Sequence, residues 1–225
     1  MGDVRPLLVV TGTRREGALA AGPAMTVLAG GGDGARLAQE LARLAPQACG
    51  IISFGTGGGL VPGLRLGDMV IGNGLTGALT GDCDPAWAQA LARALPQARI
   101  GTVFADGTLL ASVAAKTSAA ASGAIIADME SHLAAAAAAD HGLPFAILRC
   151  VSDTAEAALP PAVAVAMGQD GSLALTAVLS SIMRQPQQLR GLIRTGLGFG
   201  TAFAKLKIAT KAAGPRFGFD HRSLV

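Results

Sequence analysis

The stretch Gly50-Ile51-Ile52-Ser53-Phe54-Gly55-Thr56-Gly57-Gly58-Gly59-Leu60 joins an apolar, β-branched run to a cluster of glycines. It predicts a buried strand over Gly50–Phe54 that ends in a tight turn, where successive glycines let backbone amides approach a ligand. The pattern is neither a phosphate-binding loop, which needs Gly-Lys-Ser/Thr, nor the dinucleotide spacing that opens a helix. Taken alone it is a permissive turn. Outward from it, apolar runs recur at Leu7–Val10, Met25–Leu28, Asp68–Ile71, Ile100–Phe104, Ala124–Ala127 and Pro144–Val151. Between them Ala35–Leu44, Pro85–Leu95, Ser112–Ala121 and Ser131–His141 carry helical spacing. This alternation predicts an α/β fold, a sheet covered by helices on its faces. The tract Ala134–Ala139 is rich in helix former and predicts close helix packing.

At 225 residues, 51% of them apolar and only 15% charged, the chain suits one sizeable core. With no Tyr and one Trp, that core is built from aliphatic side chains. The run Leu7–Val10, flanked by Asp3, Arg5 and Arg14, is too short for a secretory signal. The longest uncharged stretch, Leu44–Leu64, carries Pro46, Pro62 and six glycines, which a membrane-spanning helix would not hold. Cys49, Cys83 and Cys150 show no metal-ligand spacing and read as reduced, inert thiols of a cytoplasmic protein. No metal or other cofactor is expected.

Charge divides the chain near residue 184. Residues 1–183 hold ten Lys and Arg against fourteen Asp and Glu, whereas residues 184–225 hold eight against one. A mildly acidic body (1–183) thus carries a basic amphipathic C-terminal extension (184–225). In Gln187–Ala213, Leu189, Leu192, Ile193, Leu197, Phe203 and Leu206 interleave with Arg190, Arg194, Lys205, Lys207 and Lys211. That pattern fits a basic helix lying on an anionic membrane surface, or one packed on the body. Gly191, Gly196, Gly198 and Gly200 weaken such a helix by roughly 1 kcal/mol each relative to Ala, so it is expected to be interrupted or to fold only on a surface.

Three segments past strand ends hold candidate chemistry. Val9-Val10-Thr11-Gly12-Thr13-Arg14-Arg15-Glu16 presents a carboxylate, which alone reads as a solvated surface residue. The glycine segment is followed by Leu66-Gly67-Asp68. The third is bipartite: Asp128-Met129-Glu130-Ser131-His132, then Arg149-Cys150-Val151-Ser152-Asp153-Thr154, both just past an apolar strand, where ligands bind in α/β sheets. Asp153-Thr154-Ala155-Glu156 also fits a helix N-cap. His132 reads as incidental, and His141 as a residue of a helix C-terminus.

The order and spacing of these motifs, from Leu7 to about Met183, resemble the nucleoside phosphorylase and nucleosidase superfamily, most of all its methylthioadenosine/S-adenosylhomocysteine nucleosidase branch. The tail, with Arg184-Gln185-Pro186-Gln187-Gln188-Leu189, further resembles hopanoid-associated members, which are implicated in removing adenine from adenosylhopane to leave ribosylhopane. The resemblance implies a three-layer fold whose mixed sheet is partly closed into a barrel. It implies that Asp153 protonates adenine with support from Ser152. It gives Glu130 the ribose hydroxyls, packs Met129 on the ribose and makes Glu16 the group that activates water. Thr56, Gly57 and Gly58 line the region around nucleophile and base, and the segment near Thr108 and Leu109 frames adenine. An aspartic acid protonates a base at neutral pH only when burial raises its pKa.

Phosphorolytic relatives commonly carry an arginine at the position of Ser53, so water is the expected nucleophile here, although Arg14 and Arg15 could substitute. The resemblance also implies a homodimer. The expected partners are an adenine nucleoside with an apolar 5′ group and, peripherally, the anionic inner membrane surface. Other readings are phosphorolysis of the same substrate and hydrolysis of methylthioadenosine, adenosylhomocysteine or futalosine. Nucleic acid is not expected, because the body is acidic and stacking aromatics are sparse in the tail.

Overall fold

The computed structural model describes residues 5–164, 180–181 and 183–219, and within these the elements alternate as the sequence predicts. They run β1 (Leu7–Thr11), α1 (Arg14–Ala20), β2 (Met25–Ala29), α2 (Gly34–Leu44), β3 (Gly50–Gly59), β4 (Met69–Gly77), β5 (Gly81–Asp82) and α3 (Pro85–Ala94). There follow β6 (Arg99–Ala105), α4 (Val113–Ala120), β7 (Ile126–Asp128), α5 (Ser131–Asp140), β8 (Phe145–Asp153), α6 (Pro161–Ala164) and α7 (Leu189–Ala213).

The glycine stretch is not a turn. Strand β3 continues through it to Gly59, and the chain turns only afterwards. The reason lies in its neighbours. Along one edge β3 pairs first with β1, in parallel over Gly50–Ser53, and then with β7, antiparallel at Gly58 and Gly59. Along the other edge it pairs with β8 throughout. The strands β3-β7-β6-β4-β8 close on themselves into a five-stranded ring, while β1 and β2 extend the sheet beyond it. To serve both sheet and ring, β3 has to bend and be approached closely. A Cβ at Gly57 would lie 2.7 Å from the Ala127 carbonyl oxygen. Gly55, with φ +152°, leaves no room for one beside Glu16 and Arg149. The mixed, partly closed sheet implied by the resemblance is the fold observed.

Two apolar layers flank the sheet. On one side Leu37 and Leu41 of α2 and the buried alanines of α5 pack on Leu8, Val10, Ile51 and Ile147. The polyalanine tract does pack closely, with Ala134, Ala135, Ala137 and Ala138 buried. On the other side Trp87, Leu91, Ala202, Leu206, Phe217 and Phe219 pack on Leu7, Val9, Ile52, Phe54 and Leu148. The three cysteines are free and buried, and burial pushes the Cys83 and Cys150 thiols up to about 12.

Helix α7 runs unbroken for 25 residues, contrary to the interruption its glycines predict. Tertiary packing overrides local propensity here. Gly191 faces Pro160, and a Cβ at Gly198 would lie 2.3 Å from the Ser152 carbonyl oxygen, so the helix backbone seats directly on β8. Its inner face is Gly198, Ala202, Leu206, Ala209 and Ala213; its outer face leaves Leu189, Ile193, Leu197 and Ile208 exposed beside Arg190, Arg194, Lys207 and Lys211. Among the described residues no helix is long and apolar enough to cross a membrane.

Candidate active site

After β1 the chain turns at Gly12 and enters α1 through a capping box: Thr13 Oγ1 accepts from the Glu16 amide (3.2 Å), and Glu16 Oε2 accepts from the Thr13 amide (2.8 Å). Glu16 is therefore turned inward and is only 2% exposed, not the solvated residue that its segment alone suggests. Its Oε2 also accepts from Thr13 Oγ1 (3.0 Å), and its Oε1 accepts from the amide (2.7 Å) and hydroxyl (2.8 Å) of Thr56. Both oxygens are thus fully engaged.

Asp128, at the end of β7, holds the entry to α5: Oδ1 accepts from the amides of Glu130 (2.8 Å) and Ser131 (2.7 Å). Its Oδ2 accepts from Ser131 Oγ (2.5 Å) and from Arg149 Nε (2.9 Å). Arg149 is completely buried within β8. Its Nη2 donates to Ser53 Oγ (2.5 Å) and lies 3.7 Å from Glu130 Oε2, and its Nη1 donates to the Thr56 carbonyl (3.4 Å). One guanidinium thereby ties together β3, β7, β8 and the start of α5.

A Cβ at Gly12 would be 3.2 Å from both Glu16 Oε2 and Glu130 Oε1, so these two carboxylates flank one turn. Met129 is half-buried beside them. Burial pushes the Glu130 carboxyl up to about 7; Arg149 opposes this, and Asp128 and Glu16 add to it. Since the ordinary value is 4.5, the folded protein keeps a proton that the unfolded chain loses between about pH 4.5 and 7. Stability falls as pH rises through that window, and the whole cost is present above it. Glu130→Gln is expected to stabilise the protein at pH 8 by on the order of 1–3 kcal/mol. Urea titrations at pH 8 and pH 5 measure this; an equal effect at both would contradict it.

Asp153 stands at the other end of the Thr56–Gly58 segment. A shift in pairing opposite Gly57 and Gly58 leaves Ser152 as an extra residue in β8, and such a bulge re-aims the strand end. Ser152 Oγ reaches Asp153 Oδ1 (2.8 Å) and the Gly57 carbonyl (3.2 Å), while Asp153 Oδ2 would lie 3.1 Å from a Cβ at Gly58. No helix follows Asp153, so the N-cap reading fails; the next one, α6, starts at Pro161. Lys116 of α4, itself 1% exposed, donates from Nζ to Asp153 Oδ2.

Thus Glu16, Glu130, Asp153, Ser152, Thr56, Gly57 and Gly58 gather along one end of β3, over a span of roughly 7 Å between Thr56 and Gly58. Leu109 is half-buried and Thr108 exposed on the loop after β6, which meets the segment after Asp153 where the Leu159 amide donates to the Ala111 carbonyl (2.8 Å). His132 stands apart, against Gly107, its ionisation held below the usual value mainly by burial. His141 caps the C-terminus of α5 as expected. The sequence reading gave no role to Asp128, Arg149 or Lys116. The signal available was a charged residue inside an otherwise apolar strand, for Arg149, and a lone charge in an Ala-rich helix, for Lys116.

Comparison with known proteins places this geometry in context. The model of one family, the Phosphorylase superfamily, matches residues 2–184. No curated protein matches significantly. Among solved structures, the methylthioadenosine/S-adenosylhomocysteine nucleosidase of Neisseria meningitidis superposes with a TM-score of 0.66 at 16% identity, covering 91% of this chain and 97% of that one. The S-adenosylhomocysteine nucleosidase of Streptococcus pyogenes gives 0.62 at 18% identity, with 88% and 98% covered. A futalosine hydrolase mutant of Helicobacter pylori gives 0.62 at 12% identity, with 91% and 99% covered. At such identities the likeness is one of fold.

Proposed function

This chain belongs to the phosphorylase superfamily, and on that premise we propose that it is a purine nucleosidase that hydrolyses the N-glycosidic bond of adenosylhopane, releasing adenine and ribosylhopane. The observation that carries this reading is the trio of buried carboxyl groups around the Thr56–Gly58 segment: Glu16 and Glu130 at one end and Asp153 at the other. Cleavage needs a proton on the departing purine and negative charge near a ribosyl carbon that becomes cationic. In the proposed reaction Asp153, held by Ser152, protonates the base. Glu130 accepts from the ribose hydroxyls and stabilises the sugar cation, with Met129 against the ribose, and Leu109 lies toward the adenine. Glu16 orients and deprotonates the attacking water. Because both its oxygens are engaged, a hydroxyl of Thr13 or Thr56 must turn aside to admit that water.

Local charge favours water over phosphate. The guanidinium nearest Ser53 is Arg149, and it is enclosed by Asp128, Ser53, Ser131 and Glu130. Arg15 is stacked over Phe203 at 4.3 Å. A dianion entering beside Glu16, Asp128 and Glu130 meets more negative than positive charge.

Support for a lipid substrate comes from α7. Its exposed apolar stripe, bordered by Arg and Lys, matches an anionic bilayer surface, and its opposite face touches Ser152. The strand end that carries Ser152 and Asp153 is then one helix thickness, ~10 Å, from that surface. The protein is expected to float with phosphatidylglycerol vesicles at low salt, and Ile193→Glu/Leu197→Glu to remain unbound; binding unchanged by the variant would refute the surface. A homodimer belongs to the same proposal and is read by sedimentation.

The deciding experiment incubates the purified protein with adenosylhopane, methylthioadenosine, adenosylhomocysteine and futalosine, each with and without phosphate. Ribosylhopane in both conditions is expected. A phosphoribosyl lipid formed only with phosphate would overturn hydrolysis, and base release from the soluble nucleosides alone would overturn the lipid substrate.

A further inference from the structure

We infer that Lys116 is a positioning residue that supplies, through Asp153, the proton taken by the leaving purine; the inference rests on the nucleosidase reading above. A buried lysine ammonium has three N–H groups to satisfy. Nζ of Lys116 satisfies all three: one on Asp153 Oδ2, one on the Thr154 carbonyl (2.8 Å) and one on the Ala157 carbonyl (2.9 Å). Among the described residues, Asp153 is the one carboxylate in ion-pair contact with this nitrogen. The two carbonyls belong to the segment just after Asp153, so acid and lysine are fixed to the same stretch of chain.

The arrangement satisfies either location of a single proton. With the proton on nitrogen, the pair is an ammonium and a carboxylate. With it moved to Oδ2, the amine keeps two N–H groups for the two carbonyls, and its lone pair accepts from the new O–H. Neither state leaves a buried polar group without a partner. When a substrate expels water from the site, the neutral pair gains relative to the charged pair, because charges lose solvation and the neutral groups lose little. Substrate binding thus loads Asp153 with a proton that an isolated anionic carboxylate would lack.

The balance closes. Nζ gives a proton to Oδ2, and the carboxyl proton passes to the purine nitrogen as the C–N bond breaks and its electron pair leaves with the base. Water adds to the ribosyl carbon and yields its proton to Glu16. One proton returned through solvent restores the lysine.

A merely structural counter-ion would behave differently, and the leaving group separates the two roles. Hydrolysis of 5′-hexylthioadenosine needs a protonated base; hydrolysis of 4-nitrophenyl β-D-riboside, whose phenolate leaves unaided, does not. Lys116→Met is expected to lower kcat on the first by roughly 10²-fold or more, to change KM little, and to leave the riboside within about threefold of wild type. The same selective loss is expected of Lys116→Arg, which keeps the charge but cannot give up its proton. The double variant Lys116→Met/Asp153→Asn, which buries no lone charge, is expected to be no slower than Asp153→Asn alone. Equal losses on both substrates, or full activity in Lys116→Arg, would overturn the role of Lys116 and leave the nucleosidase reading standing. Wild-type protein that cleaves neither substrate would overturn both.

Discussion

Asp153→Asn is expected to cut adenine release by a factor of about 10³, within the range that a positioned general acid supplies. The substitution is isosteric, and the amide oxygen still accepts from Lys116 or Ser152, the two side chains that hold the carboxylate now. The fold is expected to persist at some cost in stability, because Lys116 keeps a neutral acceptor but loses the anion that balances its charge. On the proposed mechanism, what is lost is the ability to carry a proton to the departing base. Steady-state assays on the nucleoside, with circular dichroism to show that the fold persists, read both halves of the statement. Near-normal turnover in the variant would mean that the leaving-group acid lies elsewhere.

The second large effect is on stability. Arg149→Met is expected to cost about 3–5 kcal/mol, the penalty of stripping the partner from a buried ion cluster. The guanidinium is wholly buried and touches Asp128, Ser53, Ser131 and the Thr56 carbonyl, with Glu130 at 3.7 Å. Methionine of similar length fills the space and satisfies none of them. Asp128 is left buried before α5 without its guanidinium partner, and Glu130 loses the one cation that favours its charged form. Adding Asp128→Asn is expected to recover part of the loss. Chemical denaturation of the single and double variants measures the coupling, and a single-variant loss under about 1 kcal/mol would show that the cluster is not the strut described.

How much of this was readable from the chain depends on how far apart the interacting groups lie. The alternation of β-branched and Ala-rich segments is local, and the structure follows it closely. The Asp-Met-Glu-Ser and Arg-Cys-Val-Ser-Asp motifs carry their own spacing, and they do converge on the end of β3. The glycines of β3 are a different case. A glycine run has no side-chain period, so it reads as a turn; only the pressure of Ala127, Glu16 and Arg149 on either side makes a strand of it. Glu16 appeared solvated because its partner Thr56 is forty positions away in sequence and comes near only when β1 and β3 pair. Lys116 resembles any solvated lysine on a short helix until the segment after β8 folds over it. Propensity alone counts against the glycines of α7, and the decisive fact about Gly198 is what it sits against.

That seat of α7 on Ser152 has a mechanical corollary. A tether would let a catalytic head sample many heights and tilts above a bilayer. Here backbone meets backbone with no side chain between, so residues 189–213 swing only if the end of β8 swings with them. Whatever surface takes up the outer face of the helix receives the whole body at one fixed attitude.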